Sequence, residues 1–156
     1  MRYPTVNLVS GRPVACYKDK CDIYQEGHWQ HLQNTKVLRT YHSSAATKDA
    51  VLLIGGESET SIEESETSTE WIPMDGSPAQ PGPFAVRHGY HHCTIQISED
   101  MIVVTGGYET GSYVTQFDLV DGNETPLRSL GKPRYNHACG VYQDAGGQQV
   151  SRRLSS

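Results

Sequence analysis

The sequence predicts an all-β repeat protein, and three observations carry that expectation. The run Val51-Leu52-Leu53-Ile54-Gly55-Gly56 returns as Met101-Ile102-Val103-Val104-Thr105-Gly106-Gly107. Each copy is a short apolar run without polar alternation and rich in β-branched residues, the pattern of a strand covered on both faces. Gly55 and Gly106 are 51 residues apart, and the histidines His42, His92 and His137 keep a second ruler of 50 and 45 residues. A period of about 50 residues belongs to repeat architectures. Fifteen glycines and eight prolines suit a turn-rich β protein, and no stretch has the 3.6-residue periodicity of an amphipathic helix.

Taken in order, residues 1–38 form the later part of one repeat. Val6 to Val9 and Pro13 to Cys16 are candidate strands around the turn Ser10-Gly11-Arg12, followed by Cys21 to Tyr24 and, after the Gly27 turn, Trp29 to Leu32. Tyr17-Lys18 stands where later copies carry two glycines.

A second repeat covers residues 39–86. Tyr41 to Ala45 begins a strand, Lys48-Asp49 turns, and Val51 to Ile54 follows. Glu57 to Ser68 is polar and aperiodic, a loop. Thr69 to Met74, centred on Trp71, is the third strand, and Asp75-Gly76 is a hairpin signal. Pro78, Pro81 and Pro83 confine a fourth strand to an irregular edge, because proline cannot donate to a ladder.

The third repeat covers residues 87–133. Tyr90 to Thr94 matches the Tyr41 segment, and Ser98-Glu99-Asp100 turns into the Met101 strand. Tyr113 to Leu119 alternates as a strand, Asp121-Gly122 closes the hairpin, and Leu127 to Leu130 is the expected edge. A fourth repeat opens at Arg134 and runs to about residue 150. Residues 151–156 are a tail unlike the repeats.

Charge narrows the partners. Thirteen basic against eighteen acidic residues leave a net charge of −5, which argues against a broad phosphate-binding surface and hence against nucleic acid. No Lys or Arg lies between Asp49 and Val86, whereas six glutamates fall from Glu57 to Glu70. No apolar stretch approaches the ~20 residues of a membrane span, and Met1 to Ser10 holds no apolar core of a signal peptide.

Beyond these features, Arg39-x-x-His42 and Arg134-x-x-His137, the two Gly-Gly pairs, Tyr113 and Phe117 on a third strand, and Trp29 after a fourth-strand turn resemble the Kelch repeat family of β-propellers over about residues 6–150. Tyr17-Lys18 in place of Gly-Gly, and Trp71 on the third strand rather than the fourth, depart from the pattern. The resemblance implies four-stranded blades around a central channel. This chain would supply two full blades and parts of two others, with Gly55, Gly56, Gly106, Gly107, His42, His92, His137, Trp29 and Trp71 as structural repeat positions. Open blade edges would favour self-association. Kelch propellers commonly bind other proteins through the face that carries the loops between blades. On that face the resemblance places Arg39 and Tyr41, Arg87 and Tyr90, and Arg134 and Tyr135. Arginine and tyrosine suit a protein interface, and the arginines favour an acidic partner. A structural role for the arginines, packing between blades, is the competing expectation.

Chemistry is sparse. Cys16 and Cys21 with His28 and His31 have six residues between the second cysteine and the first histidine, against the roughly twelve of a zinc finger. Two readings of Cys16 and Cys21 stand: a disulfide between adjacent strands, or two free thiols. Some extracellular Kelch-like proteins look similar here, which favours the disulfide and an extracellular setting. Cys93 and Cys139, in neighbouring slots of equivalent strands, are expected to be small core residues. His88, His91 and His92 cluster, but adjacent strand residues point to opposite faces, so His91 and His92 do not share a metal. Asn123-Glu124-Thr125 is a glycosylation pattern in a loop, with Pro126 behind it. No catalytic fingerprint or cofactor motif is present. The expectation is a non-catalytic protein-binding module; the alternative is a fragment of a copper-radical oxidase resembling galactose oxidase, whose chemistry needs Tyr, His and Cys ligands converging on the axis.

Overall fold

In the computed structural model, residues 4–58, 67–108 and 110–141 are described. Three antiparallel sheets follow one another along the chain. The first contains β1 (Thr5–Val9), β2 (Arg12–Gln25) and β3 (His28–Arg39). The second contains β4 (Ser43–Ala46), β5 (Ala50–Ile54), β6 (Thr69–Pro73) and β7 (Gln80–Pro81). The third contains β8 (Cys93–Ser98), β9 (Met101–Thr105), β10 (Val114–Asp118) and β11 (Glu124–Pro126). Within the second and third sheets, spatial order equals chain order, a meander of hairpins.

The sheets stack face to face, and β5 shows why its sequence is apolar without a break. Val51, Leu52, Leu53 and Ile54 are all fully buried. Side chains alternate across a strand, so Val51 and Leu53 join Val9, Val14, Ile23 and Ile72 in the core between the first two sheets. Leu52 and Ile54 join Ile102, Val104 and Phe117 in the core between the second and third. Full burial of each such side chain is worth roughly 1.5–3 kcal/mol. Phe84 stacks on Phe117 with centroids 4.3 Å apart, closing the outer end of that second core.

The first sheet departs from expectation. The sequence predicts four short strands; instead β2 joins two of them and β3 continues to Arg39. Yet Cys16 and Cys21 have Cα atoms 4.1 Å apart, where five extended residues would span roughly 16 Å. The chain therefore doubles back inside β2, through Lys18 at φ 52°. The half before the fold pairs with β1 and the half after it with β3. In the third sheet the edge strand is β11, not Leu127 to Leu130, because Asp118 turns the chain tightly through Gly122 and pairing with β10 begins at Glu124. Pro126 sits at the outer edge, where its missing N–H is harmless. The two-residue β7 carries Pro81 in the same way. Most of the acidic loop lies outside the described residues, as does the chain beyond Val141.

The second glycine of each pair exists because the segment that opens its own repeat presses on it. Gly56 has φ 109°, and a Cβ there would lie 2.8 Å from the Thr40 carbonyl and 2.9 Å from the His42 Cβ. Gly107 has φ 110°, and a Cβ there would overlap the His88 carbonyl.

Candidate functional site

The segments that open each repeat share one backbone conformation. Tyr41, His91 and Asn136, each just before a recurrent histidine, have φ of 56°, 58° and 53°. This left-handed region is costly for residues other than glycine, and here it aims backbone groups from one repeat at the next. His91 N–H donates to the Tyr41 carbonyl at 3.2 Å, and Asn136 N–H to the His91 carbonyl at 2.9 Å.

The same geometry gathers aromatic rings into a row. Tyr41 lies 4.1 Å from His91, Tyr90 is 5.2 Å from His91, Tyr90 stacks on Tyr108 at 5.0 Å, and Tyr108 meets Tyr135 edge-on at 6.0 Å. Tyr108 and Tyr135 are about 60% exposed. Of the expected interface residues, the row therefore contains Tyr41, Tyr90 and Tyr135. It also contains His91 and Tyr108, which were not among the expected interface residues. Tyr108 follows Gly106-Gly107 directly and His91 precedes the recurrent His92, so both positions are marked by the repeat itself.

The arginines part company. Arg39 is fully buried. Its guanidinium donates to the carbonyls of Gly55 at 2.9 Å and Ser68 at 3.0 Å and pairs with Glu70 at 3.2 Å. Desolvation pulls its pKa down, and the Glu70 carboxylate opposes that shift. Glu70 also accepts the Lys36 N–H at 2.5 Å, so the ion pair ties the end of the first repeat to the second sheet. This corrects the expectation that Arg39 lines an interface; the competing expectation, a structural role, fits. Arg87 is exposed and Arg134 half-buried.

His88 takes the place of Arg39 in the third sheet. It donates from Nδ1 to the Gly106 carbonyl at 2.7 Å, as Arg39 donates to that of Gly55. Its Nε2 accepts from Thr115 Oγ1 at 3.1 Å. Thr115 is the counterpart of Glu70, since Thr115 pairs with Val104 and Glu70 with Leu53. A buried ion pair in one sheet is thus a neutral pair in the next. The exchange leaves a cavity of about 250 Å³ beside His88 and Thr115, with Arg87 and Glu124 also on its wall.

The recurrent histidines bridge sheets and stay neutral. His42 Nε2 lies 3.2 Å from Thr5 Oγ1, His92 Nε2 2.7 Å from Ser43 Oγ, and His137 Nε2 2.9 Å from Thr105 Oγ1. Burial pushes His42 down to about 4 and His92 to about 3, with the Arg39 charge adding to the first and His88 to the second. His91 and His92 belong to different surroundings, one in the aromatic row and one in the core, and among the described residues no three His, Cys, Asp or Glu side chains are placed to hold a metal.

All four cysteines are paired. Cys16 bonds to Cys21, both buried in the first core. Cys93 bonds to Cys139, which corrects the expectation of two separate small core residues; both lie part-exposed at the junction of the third and fourth repeats. None of the four cysteines is free. Trp29 is half exposed on β3 and stacks edge-on with Tyr24 at 5.4 Å, while Trp71 packs against the second core from β6. Asn123 is exposed, its amide donating to the Asp121 carboxylate at 2.5 Å.

No protein-family model matches the chain, and no curated protein matches it. In fold it is similar to a solved structure entitled "Structure of YjhT", with a TM-score of 0.71 at 9% identity. The match covers 88% of this chain and 55% of that one, so the chain spans little more than half the length of the structure it resembles. Similarity at this identity speaks for the fold alone.

Proposed function

We propose that the chain is a non-catalytic protein-binding module, a stretch of a Kelch-type β-propeller in which each four-stranded sheet is a blade and the aromatic row runs along the loop face. The single observation that carries the reading is that row, Tyr41–His91–Tyr90–Tyr108–Tyr135. Tyrosine offers a large contact area and a polar tip at low entropic cost, which is why it is enriched at binding hot spots. The face between repeats is where successive blades of a propeller present their loops, and the equivalent positions of Tyr41, His91 and Asn136 agree with a regular rotation from sheet to sheet. With Arg39 turned inward, aromatic contact rather than an arginine cluster supplies the recognition, and an acidic partner is not specially favoured. Two disulfides in a chain of this length fit maturation in an oxidising compartment.

The test compares crosslinked partners of the wild type with those of Tyr108→Ser plus Tyr135→Ser, after equal melting temperatures have been shown. Loss of one specific crosslinked protein from the variant supports the reading. An unchanged crosslink pattern places the interface elsewhere.

A further inference from the structure

We infer that the cavity beside His88 is a binding site for a guanidinium cation. The preceding sheet shows the same place filled by the molecule itself. There the chain's own Arg39 guanidinium lies against the Gly55 and Ser68 carbonyls and the Glu70 carboxylate. In the third sheet the guanidinium is gone, His88 takes the Gly106 carbonyl, the Thr115 hydroxyl stands for the Glu70 carboxylate, and the Tyr113 carbonyl keeps the place of that of Ser68. The Tyr113 carbonyl accepts Gly106 N–H at 2.9 Å, just as that of Ser68 accepts Gly55 N–H at 3.0 Å. The Ser68 oxygen also accepts from Arg39, whereas His88, with its two ring nitrogens on Gly106 and Thr115, makes no such bond to the Tyr113 carbonyl.

His88 and Thr115 turn acceptors toward the cavity, while Arg87, Tyr113 and Ser129 on the same wall also carry donors. His88 donates its one proton to the Gly106 carbonyl, so its Nε2 takes the Thr115 hydroxyl proton. Thr115 Oγ1 therefore turns only lone pairs toward the cavity. Glu124 stands where the second sheet has the buried Ala79, since Pro126 pairs with Thr115 as Pro81 pairs with Glu70. It brings to the wall a carboxylate that, unlike the buried Glu70, is exposed, as Arg87 is. Burial lowers the His88 pKa, so the imidazole stays neutral at pH 7 and adds no opposing charge. Phe117 and Val114 supply an apolar floor on which the stem of an arginine can lie. A guanidinium presents five N–H donors in a plane and no acceptor, which matches a pocket of carbonyl, hydroxyl and carboxylate oxygens. Arg87 is the opposing charge, but it is exposed and screened by salt.

The cavity does not depend on the aromatic row, and it is tested without a protein partner. The probe is N-acetyl-argininamide, with N-acetyl-citrullinamide as the neutral isostere and free arginine as the small-molecule arm, each titrated calorimetrically into the full chain. Expected is saturable binding of the arginine amide, at least tenfold weaker for the citrulline amide and for Glu124→Gln. Arg87→Gln should bind severalfold tighter. The double substitution His88→Arg plus Thr115→Glu, which copies Arg39 and Glu70 into the cavity, should fold and no longer bind. Free arginine binding more tightly than the amide would make a small molecule the natural source; equal or weaker binding would assign the site to an arginine within a peptide. Absence of saturable arginine binding overturns the inference, as does equal affinity for citrulline or unchanged binding in the double variant.

Discussion

Ser43 Oγ lies 2.5 Å from Thr94 Oγ1, and one repeat later Cys93 and Cys139 occupy that pair of positions as a disulfide. Ser43 and Cys93 each follow a recurrent histidine by one residue, Thr94 and Cys139 by two. The same junction is thus held by a hydrogen bond in one place and a covalent bond in the next. The disulfide closes a loop of 46 residues, worth about 4 kcal/mol by loop-closure entropy, against about 2 kcal/mol for the short Cys16–Cys21 loop. Cys93 and Cys139 are also the accessible pair. Mild reductant followed by alkylation and peptide mass mapping should label Cys93 and Cys139 well before Cys16 and Cys21. Cys93→Ser plus Cys139→Thr should melt several degrees lower while keeping the fold.

Acid should unfold the chain from the histidines. His42 and His92 titrate at about 4 and about 3 in the folded state, against ~6.5 when unfolded. The unfolded chain binds more protons below ~6.5, so stability is full above that pH and falls as pH drops toward the folded values. Every tenfold difference in proton affinity between the two states corresponds to ~1.4 kcal/mol. Melting temperature should be flat from pH 8 to 7 and fall steadily from 6.5 to 4. His92→Gln should lower stability at pH 7 but flatten that slope. An unaltered slope in the variant would assign the acid sensitivity to other groups.

Arg39 and Glu70 should be far costlier to break than to replace. Arg39→Met strands a buried carboxylate and should cost about 3–5 kcal/mol. Arg39→His plus Glu70→Thr imports the neutral pair of the third sheet and should cost less than Arg39→Met alone. Urea denaturation of the two variants gives the comparison directly.

Gly107→Ala should be among the most damaging small substitutions. Its φ of 110° excludes a side chain, and the added Cβ meets a carbonyl rather than a yielding side chain. A loss of roughly 2–4 kcal/mol is expected from strain and displacement together. Gly76→Ala, at φ 81° but with open space around it, should cost clearly less by the same denaturation measurement.

Self-association should run through the first sheet. Val6 and Leu8 are 60% and 67% exposed on β1, an apolar strip that invites contact. Sedimentation at increasing concentration should show oligomers, and Val6→Thr plus Leu8→Lys should reduce them.

Much of this architecture is legible in the residues. The β5 and β9 runs announce their burial because continuous apolarity has no other economical use in a strand, and Pro81 announces an edge. Two kinds of feature stay hidden. Arg39 carries no local mark that distinguishes an inward guanidinium from an outward one; only the arrival of Glu70 and Ser68 from a distant strand decides it. Cys93 and Cys139 lie 46 residues apart, so their pairing depends on how one repeat meets the next. The aromatic row is intermediate: Tyr41, Tyr90 and Tyr135 stand out as aromatics that open the repeats, whereas Tyr108 and His91, though at positions the repeat marks, join the row only where one repeat meets the next.

The second sheet is a party wall. Val51 and Leu53 belong to one core and Leu52 and Ile54 to the other, so neither core can dissolve without stripping one side of β5. Melting that begins at the exposed first strand must pass through this shared partition to reach the third sheet. The sheets therefore report each other's condition, and amide hydrogen exchange should be slowest at Leu52 and Leu53, with damage to either core felt in both.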